Sequence, residues 1–178
     1  MYVLIACEFS GRVRDAFIAR GHDAVSCDLL PTDSPGPHYQ GDVRDILHDR
    51  WDMMIAHPPC TYLAGSGPRV PGRAALTEEA LEFVRLLLTA PIPRIALENP
   101  IGCISSRIRK PDQIIQPWWF GEDASKATCL WLKGLPLLKP TDIIRKARYA
   151  NQTPSGQNKL GPSADRAKLR SLTYLGVA

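Results

Sequence analysis

Four short apolar runs mark the first hundred residues, and each is followed at once by a polar or reactive side chain. Val3-Leu4-Ile5-Ala6 meets Cys7 and Glu8, Ala24-Val25-Ser26-Cys27 meets Asp28, Met53-Met54-Ile55-Ala56 meets His57, and Ile95-Ala96-Leu97 meets Glu98. Runs this short and this apolar are typical of strands buried on both faces, and helical stretches lie between them. The alternation predicts an α/β chain with a mostly parallel sheet and helices on both faces. In such sheets ligands gather at the carboxyl ends of the strands, where these polar residues stand.

The elements follow in order. Val3 to Cys7 reads as a strand, and Gly11 to Arg20 as a helix with Val13, Ala16, Phe17 and the stem of Arg20 on one face, closed by Gly21. Ala24 to Asp28 is the second strand, and the Pro, Ser and Gly-rich stretch from Pro31 to His38 is a loop. A short strand near Tyr39 to Gly41, a helical turn from Val43 to Leu47 and a strand from Asp52 to Ala56 continue the pattern. Gly65 to Gly72 reads as a mobile loop, with Arg69 and Arg73 as candidate phosphate contacts. Thr77 then caps a helix with Glu78 and Glu79 in its first turn and Leu81, Val84 and Leu88 behind them. Pro91 and Pro93 end it, Arg94 to Leu97 is a strand opening into Glu98-Asn99-Pro100, and Thr128 to Lys133 is a last strand.

After the fourth strand comes His57-Pro58-Pro59-Cys60. Each proline fixes φ near −65° and removes a backbone donor, so the loop restricts the direction of the Cys60 thiol. Such a thiol serves either as a nucleophile or as an inert small hydrophobe. His57 reads either as a base or as a loop histidine bonded to backbone.

Composition narrows the class. A chain of 178 residues has the length of one domain, and no apolar run approaches the ~20 residues that cross a bilayer. Five cysteines, an odd number with no C-x-x-C pair, argue against a disulfide framework or a cysteine-held metal. With no basic and apolar leader after Met1, the expected location is the cytoplasm, with no metal and no membrane. Residues 1–101 carry nine arginines, no lysine and thirteen acids, a balance of −4, whereas residues 102–178 carry thirteen bases and five acids, a balance of +8. The basic half, whose segment from about 134 to 178 reads as partly flexible, is the expected polyanion-facing surface.

Taken in order, Phe9-Ser10-Gly11, Asp28, Asp42, Pro59-Cys60 and Glu98-Asn99-Pro100 resemble the motifs of the cytosine carbon-5 methyltransferases. That family places an F-x-G turn after its first strand, an acid at the end of the second, an aspartate after the third, a Pro-Cys loop after the fourth and an ENV-type loop after the fifth. The resemblance spans about residues 3 to 133. Gly121 to Thr128 is similar to the later G-x-P-Q-x-R-x-R segment, with Lys126 and Thr128 in the arginine places. It implies a Rossmann-like class I S-adenosylmethionine-dependent fold and a single methyltransferase-like unit over 1–178. Phe9, Ser10, Gly11, Asp28, Leu29, Asp42, Val43 and Pro58 are the implied cofactor contacts. Cys60, Glu98 and Lys126 are the implied catalytic residues, with Arg69 and Arg73 on nucleic acid and DNA as partner. Read from the residues alone, Asp42 is either an adenine contact or an N-cap, and Phe9 either packs on a cofactor or plugs the core.

The implied chemistry has a physical logic. Carbon 5 of cytosine is a poor nucleophile until a thiolate adds at carbon 6 and an acid supports ring nitrogen 3. Read from the residues, Glu98 is either an acid that burial encourages to carry the proton this needs or the charged partner of an arginine. The Pro-Pro loop also resembles that of amino-group methyltransferases, but His57 and Cys60 replace the polar acceptor and the stacking aromatic required there. The whole is similar to compact phage-type members; Lys133 to Asp165 has no room for a large target-recognition domain, so specificity is expected to be low or supplied otherwise, and no final Gly-Asn cofactor motif is recognised. A lapsed nucleic-acid or cofactor-binding protein, or an enzyme acting on RNA or nucleotide cytosine, are the alternative expectations.

Overall fold

The computed structural model describes residues 1–65, 70–161, 163 and 165–178. Its centre is a seven-stranded sheet in the order β3-β2-β1-β4-β5-β7-β6. The strands are β1 (Tyr2–Ala6), β2 (Asp23–Asp28), β3 (His38–Gln40), β4 (Met53–Ala56), β5 (Ile95–Pro100), β6 (Gln113–Ile115) and β7 (Thr128–Lys133). The first five run parallel, while β7 is antiparallel to both β5 and β6. The chain reverses direction across the sheet between β1 and β4, and there the carboxyl ends of the strands open a crevice.

Residues Val3 to Ala6 of β1 are fully buried, because both faces of the sheet are covered. Helix α1 (Arg12–Ala19) brings Val13 and Phe17 onto one face, against Val3, Ile5, Ala24 and Met53. Helix α2 (Arg73–Thr89) brings Leu81, Val84 and Leu87 onto the other, against Leu4, Met54, Ile95 and Leu97. At ~25 cal/mol per Å² of apolar surface, each such side chain contributes about 1.5–3 kcal/mol of burial, offset by the entropy of ordering it.

Several elements depart from the sequence expectation for physical reasons. Helix α2 starts at Arg73, after Gly72 in a left-handed conformation, and Thr77 donates from Oγ1 to the Tyr62 carbonyl at 3.1 Å instead of capping a helix. β5 continues through Glu98, Asn99 and Pro100, which lie opposite Leu130, Cys129 and Thr128 of β7, so the segment read as a loop is strand. The antiparallel partner made that extension possible, and neither the β6 edge nor the short helix α3 (Ile104–Arg107) carries a clear periodic signal. On α1 the buried basic residue is Arg14, not Arg20, whose guanidinium lies exposed and donates to the Ala16 carbonyl.

Arg14 has no solvent exposure and is fully engaged. Its Nη1 donates to Ser26 Oγ and Thr32 Oγ1, its Nη2 to the carbonyls of Ser34 and Pro35, and its Nε to Asp15 Oδ1 at 2.8 Å. The guanidinium thereby ties the loop after β2 to the start of α1, and Gly11 and Gly36 pack so closely on it that a Cβ at either would collide. Arg14→Ala should lower the unfolding free energy by on the order of 3 kcal/mol, because it strands several buried acceptors. Arg85→Ala, which removes an exposed i,i+3 pair with Glu82, should cost less than about 0.5 kcal/mol. Denaturant titrations giving equal losses at the two positions would contradict the structural role assigned to Arg14.

Candidate active site

The turn after β1 is built around Glu8, which is buried and caps α1 from four residues before the helix begins. Its Oε1 accepts from Val13 N at 2.7 Å and Ser10 Oγ at 3.1 Å, and its Oε2 from Arg14 N at 3.2 Å. A carboxylate at a helix N-terminus satisfies orphan N–H groups and meets the positive end of the dipole. The tight path puts Cys7 at a φ of 59° and Gly11 at 73°, both left-handed.

Beside that turn lies a cavity of about 230 Å³ lined by Cys7, Cys27, Asp28, Leu29, Asp42 and Val43, with Gly41, Arg44, Pro59 and Phe83 completing its wall. Burial, reinforced by Asp28, pushes both the Cys7 and Cys27 thiols up to about 12, so they are neutral and behave as apolar wall. Asp28 accepts from Leu30 N at 2.9 Å through Oδ1, and its Oδ2 has no partner among the described residues. Asp42 caps the 3-10 turn Val43–Asp45, accepting from Arg44 N at 2.9 Å and Arg44 Nη1 at 2.8 Å, and the backbone bond is the main cause holding its carboxyl below the usual range.

Of the sequence-predicted cofactor contacts, Asp28, Leu29, Asp42 and Val43 line this cavity. Phe9, Ser10, Gly11 and Pro58 lie outside its wall. The Phe9 ring sits 5.3 Å from the Lys168 ammonium, Ser10 is occupied by Glu8, and Gly11 packs on Arg14. The carbonyl of Pro58 is taken by Asn99 Nδ2 at 2.8 Å, and it is Pro59 that reaches the cavity.

That Asn99 bond pins the Pro-Pro loop to β5. A second tie follows it: Cys103 N donates to the Leu63 carbonyl at 2.9 Å, where Gly102 passes so close that a Cβ would collide with that carbonyl. Between the two ties, the Cys60 carbonyl accepts from Leu63 N and Ala64 N, which fixes a turn and leaves Cys60 exposed at its start. Arg73 donates to the Ala64 carbonyl at 3.1 Å, so it braces this turn from the first residue of α2. Arg69 lies outside the described residues.

Glu98 lies on the opposite face of the sheet from α2. The β4 to β5 register pairs Ile55 with Ala96 and Ala56 with Leu97, and continuing it sets His57 beside Glu98, with His57 Nδ1 3.1 Å from Glu98 Oε2. Lys126 is the next charge, its Nζ donating to the Arg170 carbonyl at 3.2 Å. Burial pushes the Glu98 carboxyl up, but the His57 hydrogen bond and the Lys126 charge together outweigh it, and the net direction is down. Glu98 is therefore held as a carboxylate, as in the charged reading, with His57 and Lys126 in the place of the arginine. His57, Glu98 and Lys126 sit at one end of a second, largely apolar cavity of about 310 Å³, walled by Ile55 and Ala96 of the sheet and by Leu135, Tyr174 and Val177.

No protein-family model matches the chain, and no curated protein matches it. Among solved structures, a crystal structure of a mutant of Spodoptera frugiperda DNMT2 superposes with a TM-score of 0.50 and 16% sequence identity. The match covers 83% of this chain and 56% of that one, so the chain spans little more than half the length of its neighbour. The shared fold is Rossmann-like, a mostly parallel sheet covered by helices on both faces.

The sequence singled out Cys60 and Glu98 as candidates, but not the contact between Glu98 and His57. The only signal for it was that His57 and Glu98 each follow the last apolar residue of their runs, a coincidence that becomes a contact only once the strand register is known. Among the described residues no cluster of His, Cys, Asp and Glu is arranged to hold a metal, and no helix is long and apolar enough to cross a membrane.

The depressed carboxyl has a consequence for stability. A carboxyl titrating below its ordinary value of 4.5 stabilises the fold fully above that value and loses the contribution as pH falls through the folded one. The stability difference between wild type and Glu98→Gln should shrink as pH falls below about 4.5. Urea titrations giving a difference that does not change down to about pH 3 would refute the charged-state assignment.

Proposed function

We propose that the chain is an S-adenosylmethionine-dependent methyltransferase acting on carbon 5 of cytosine in DNA through a covalent Cys60 adduct. The observation that carries this reading is the position of the Pro58-Pro59-Cys60 loop. Pro59 forms wall of the 230 Å³ cavity, Cys60 is the next residue, and Asn99 beside Glu98 holds the loop through Pro58. The candidate nucleophile thus borders the cavity, and one hydrogen bond, from the neighbour of Glu98, ties its loop to the strand that carries the candidate acid. The fold neighbour DNMT2 is a member of the cytosine carbon-5 methyltransferase family, which agrees with the motif order.

The residues fit the cofactor. A cavity walled by neutral thiols and Phe83, with the free Asp28 Oδ2 at its edge, suits an aromatic base and a ribose hydroxyl. When bound, S-adenosylmethionine supplies an electrophilic methyl group. The chain's own residues then divide the remaining work. Asp28 orients the ribose, and Pro59 holds Cys60 at the border between cavity and substrate. The Cys60 thiolate adds to carbon 6 of cytosine, and the Glu98 edge contacts ring nitrogen 3 and the exocyclic amine. The His57 hydrogen bond and the Lys126 charge keep that edge ionised, and Lys126 steadies the base. A base stacked in a duplex must first be extruded at a cost of a few kcal/mol, so single-stranded or mismatched DNA is the better substrate.

Calorimetry should detect S-adenosylmethionine binding, and Asp28→Ala should weaken it about ten- to a hundredfold, equivalent to roughly 1.5–3 kcal/mol. With DNA containing 5-fluorocytosine, wild type should form an adduct that survives denaturation, and Cys60→Ala should not. An adduct persisting in Cys60→Ala would overturn the nucleophile. Cofactor binding without methyl transfer to DNA, RNA or nucleotides would favour a lapsed binding protein.

The excess of bases after residue 101, a balance of +8, supports DNA contact made chiefly through phosphates. Affinity should fall steeply with salt and vary little with duplex sequence. Filter binding that is insensitive to salt would exclude this mode.

A further inference from the structure

Glu98 held as a carboxylate cannot itself deliver the proton that ring nitrogen 3 needs, so the proton must come from a group in contact with it. Two nitrogen groups neighbour Glu98, the Lys126 amine and the His57 imidazole. A lysine ammonium is a weak acid and a poor proton donor at neutral pH, whereas an imidazole exchanges protons near neutrality. His57 is the one in direct hydrogen bond, its Nδ1 on Glu98 Oε2 at 3.1 Å. Its ring is 14% exposed, and its Nε2 is sealed from solvent with no partner among the described residues. Backbone ties hold the ring: His57 N donates to the Ala6 carbonyl at 2.9 Å, and the next residue is clamped by Asn99. The titratable side chains that share its cavity are Glu98 from β5, Lys126 from the segment before β7 and Tyr174 near the end of the chain. Glu98 Oε1 has no partner among the described residues, which leaves one carboxylate oxygen for the substrate and the other for His57.

We propose that His57 is a positioning residue that supplies Glu98 with the proton passed to ring nitrogen 3, making His57 and Glu98 a two-residue proton relay. The inference rests on the cytosine reading above. As the Cys60 thiolate forms its bond to carbon 6, the 5,6 double-bond pair moves between carbons 4 and 5, and the pair displaced from the carbon 4 to nitrogen 3 bond settles on nitrogen 3. Glu98 gives nitrogen 3 a proton and receives one from His57 Nδ1, so the imidazolium ends neutral. After methyl transfer, water takes the carbon 5 proton, the pair of that bond re-forms the 5,6 double bond, and the thiolate leaves with its own pair. Nitrogen 3 then returns its proton through Glu98 to His57, and the relay is reset.

The test uses the full chain with 5-fluorocytosine DNA and S-adenosylmethionine, following the adduct-formation rate across pH for wild type and His57→Gln. The wild-type rate should rise with the thiolate and fall again as His57 loses its proton. His57→Gln keeps a hydrogen-bond donor but cannot ionise, so it should be about a hundredfold slower at neutral pH and show only the rising limb. Unchanged cofactor affinity in the variant establishes that it is folded. A variant profile that rises and falls with the wild type's overturns the relay. Nitrogen-15 spectra of histidine-labelled protein give a readout independent of turnover, with the His57 signal identified by its loss in His57→Gln. The His57 midpoint should drop in Glu98→Gln, and an unmoved midpoint overturns the coupling. A wild type that forms no adduct, while its His57 midpoint still responds to Glu98→Gln, refutes the cytosine reading and the relay's substrate while the coupled pair stands.

Discussion

The parallel register of β4 on β5 is the constraint on which the site depends. It sets Ile55 beside Ala96 and Ala56 beside Leu97 in the core, and one step further along it sets His57 beside Glu98. The same pair of strand ends is then locked by a side chain, because Asn99 turns the opposite way from Glu98 and donates to the Pro58 carbonyl. Alternation along a strand therefore does two jobs at once: Glu98 faces the cavity that holds His57, and Asn99 faces the loop that carries Cys60. A slip of one residue would exchange these faces and separate both pairs. The buried Asn99 Oδ1, left without a partner among the described residues, is a cost borne by this arrangement.

A second rigid point lies across the sheet. Arg14 clamps the loop after β2 to α1, while Glu8 closes the α1 N-terminus, so the wall bearing Asp28 and Leu29 is tied to the turn bearing Cys7. Burying a guanidinium is costly unless its donors find partners, and here Ser26, Thr32, Ser34, Pro35 and Asp15 supply them. The cavity wall is consequently set by hydrogen bonds within the protein and does not rely on a ligand to order it.

How far the sequence could be read follows from which interactions are local. The apolar runs of β1, β2, β4 and β5 were visible because burial on both faces leaves a continuous hydrophobic signature. Asp28 and Glu98 could be singled out because they follow two of those runs directly, Cys60 because it ends the Pro-Pro turn after a third, and Asp42 because it opens the turn after the short strand β3. What could not be read was set by distant partners. The Glu98 segment becomes strand because β7 pairs with it, Arg14 is buried because a loop some twenty residues away folds over it, and Phe9 turns from the cavity because Glu8 caps α1. Thr77 resembled a cap by residue type, yet Gly72 opened the helix a turn earlier and left Thr77 free to bond Tyr62.

The charge state of Glu98 shows why a local reading of burial misleads. Desolvation alone favours the neutral acid, and a carboxyl at the end of an apolar strand invites that conclusion. In a low-dielectric surrounding, however, nearby cations act more strongly for the same reason that the isolated charge is penalised. His57 supplies a hydrogen bond and Lys126 a longer-range attraction, and together they reverse the direction. An ionised acid beside an imidazole stores its proton on the neighbour instead of on itself. That separates two demands which conflict in a lone carboxylic acid: accepting from the exocyclic amine of a base, which needs a carboxylate, and protonating the ring nitrogen, which needs an acid. A pair of groups sharing one proton meets both, provided the register that joins them is held, and β4 and β5 hold it.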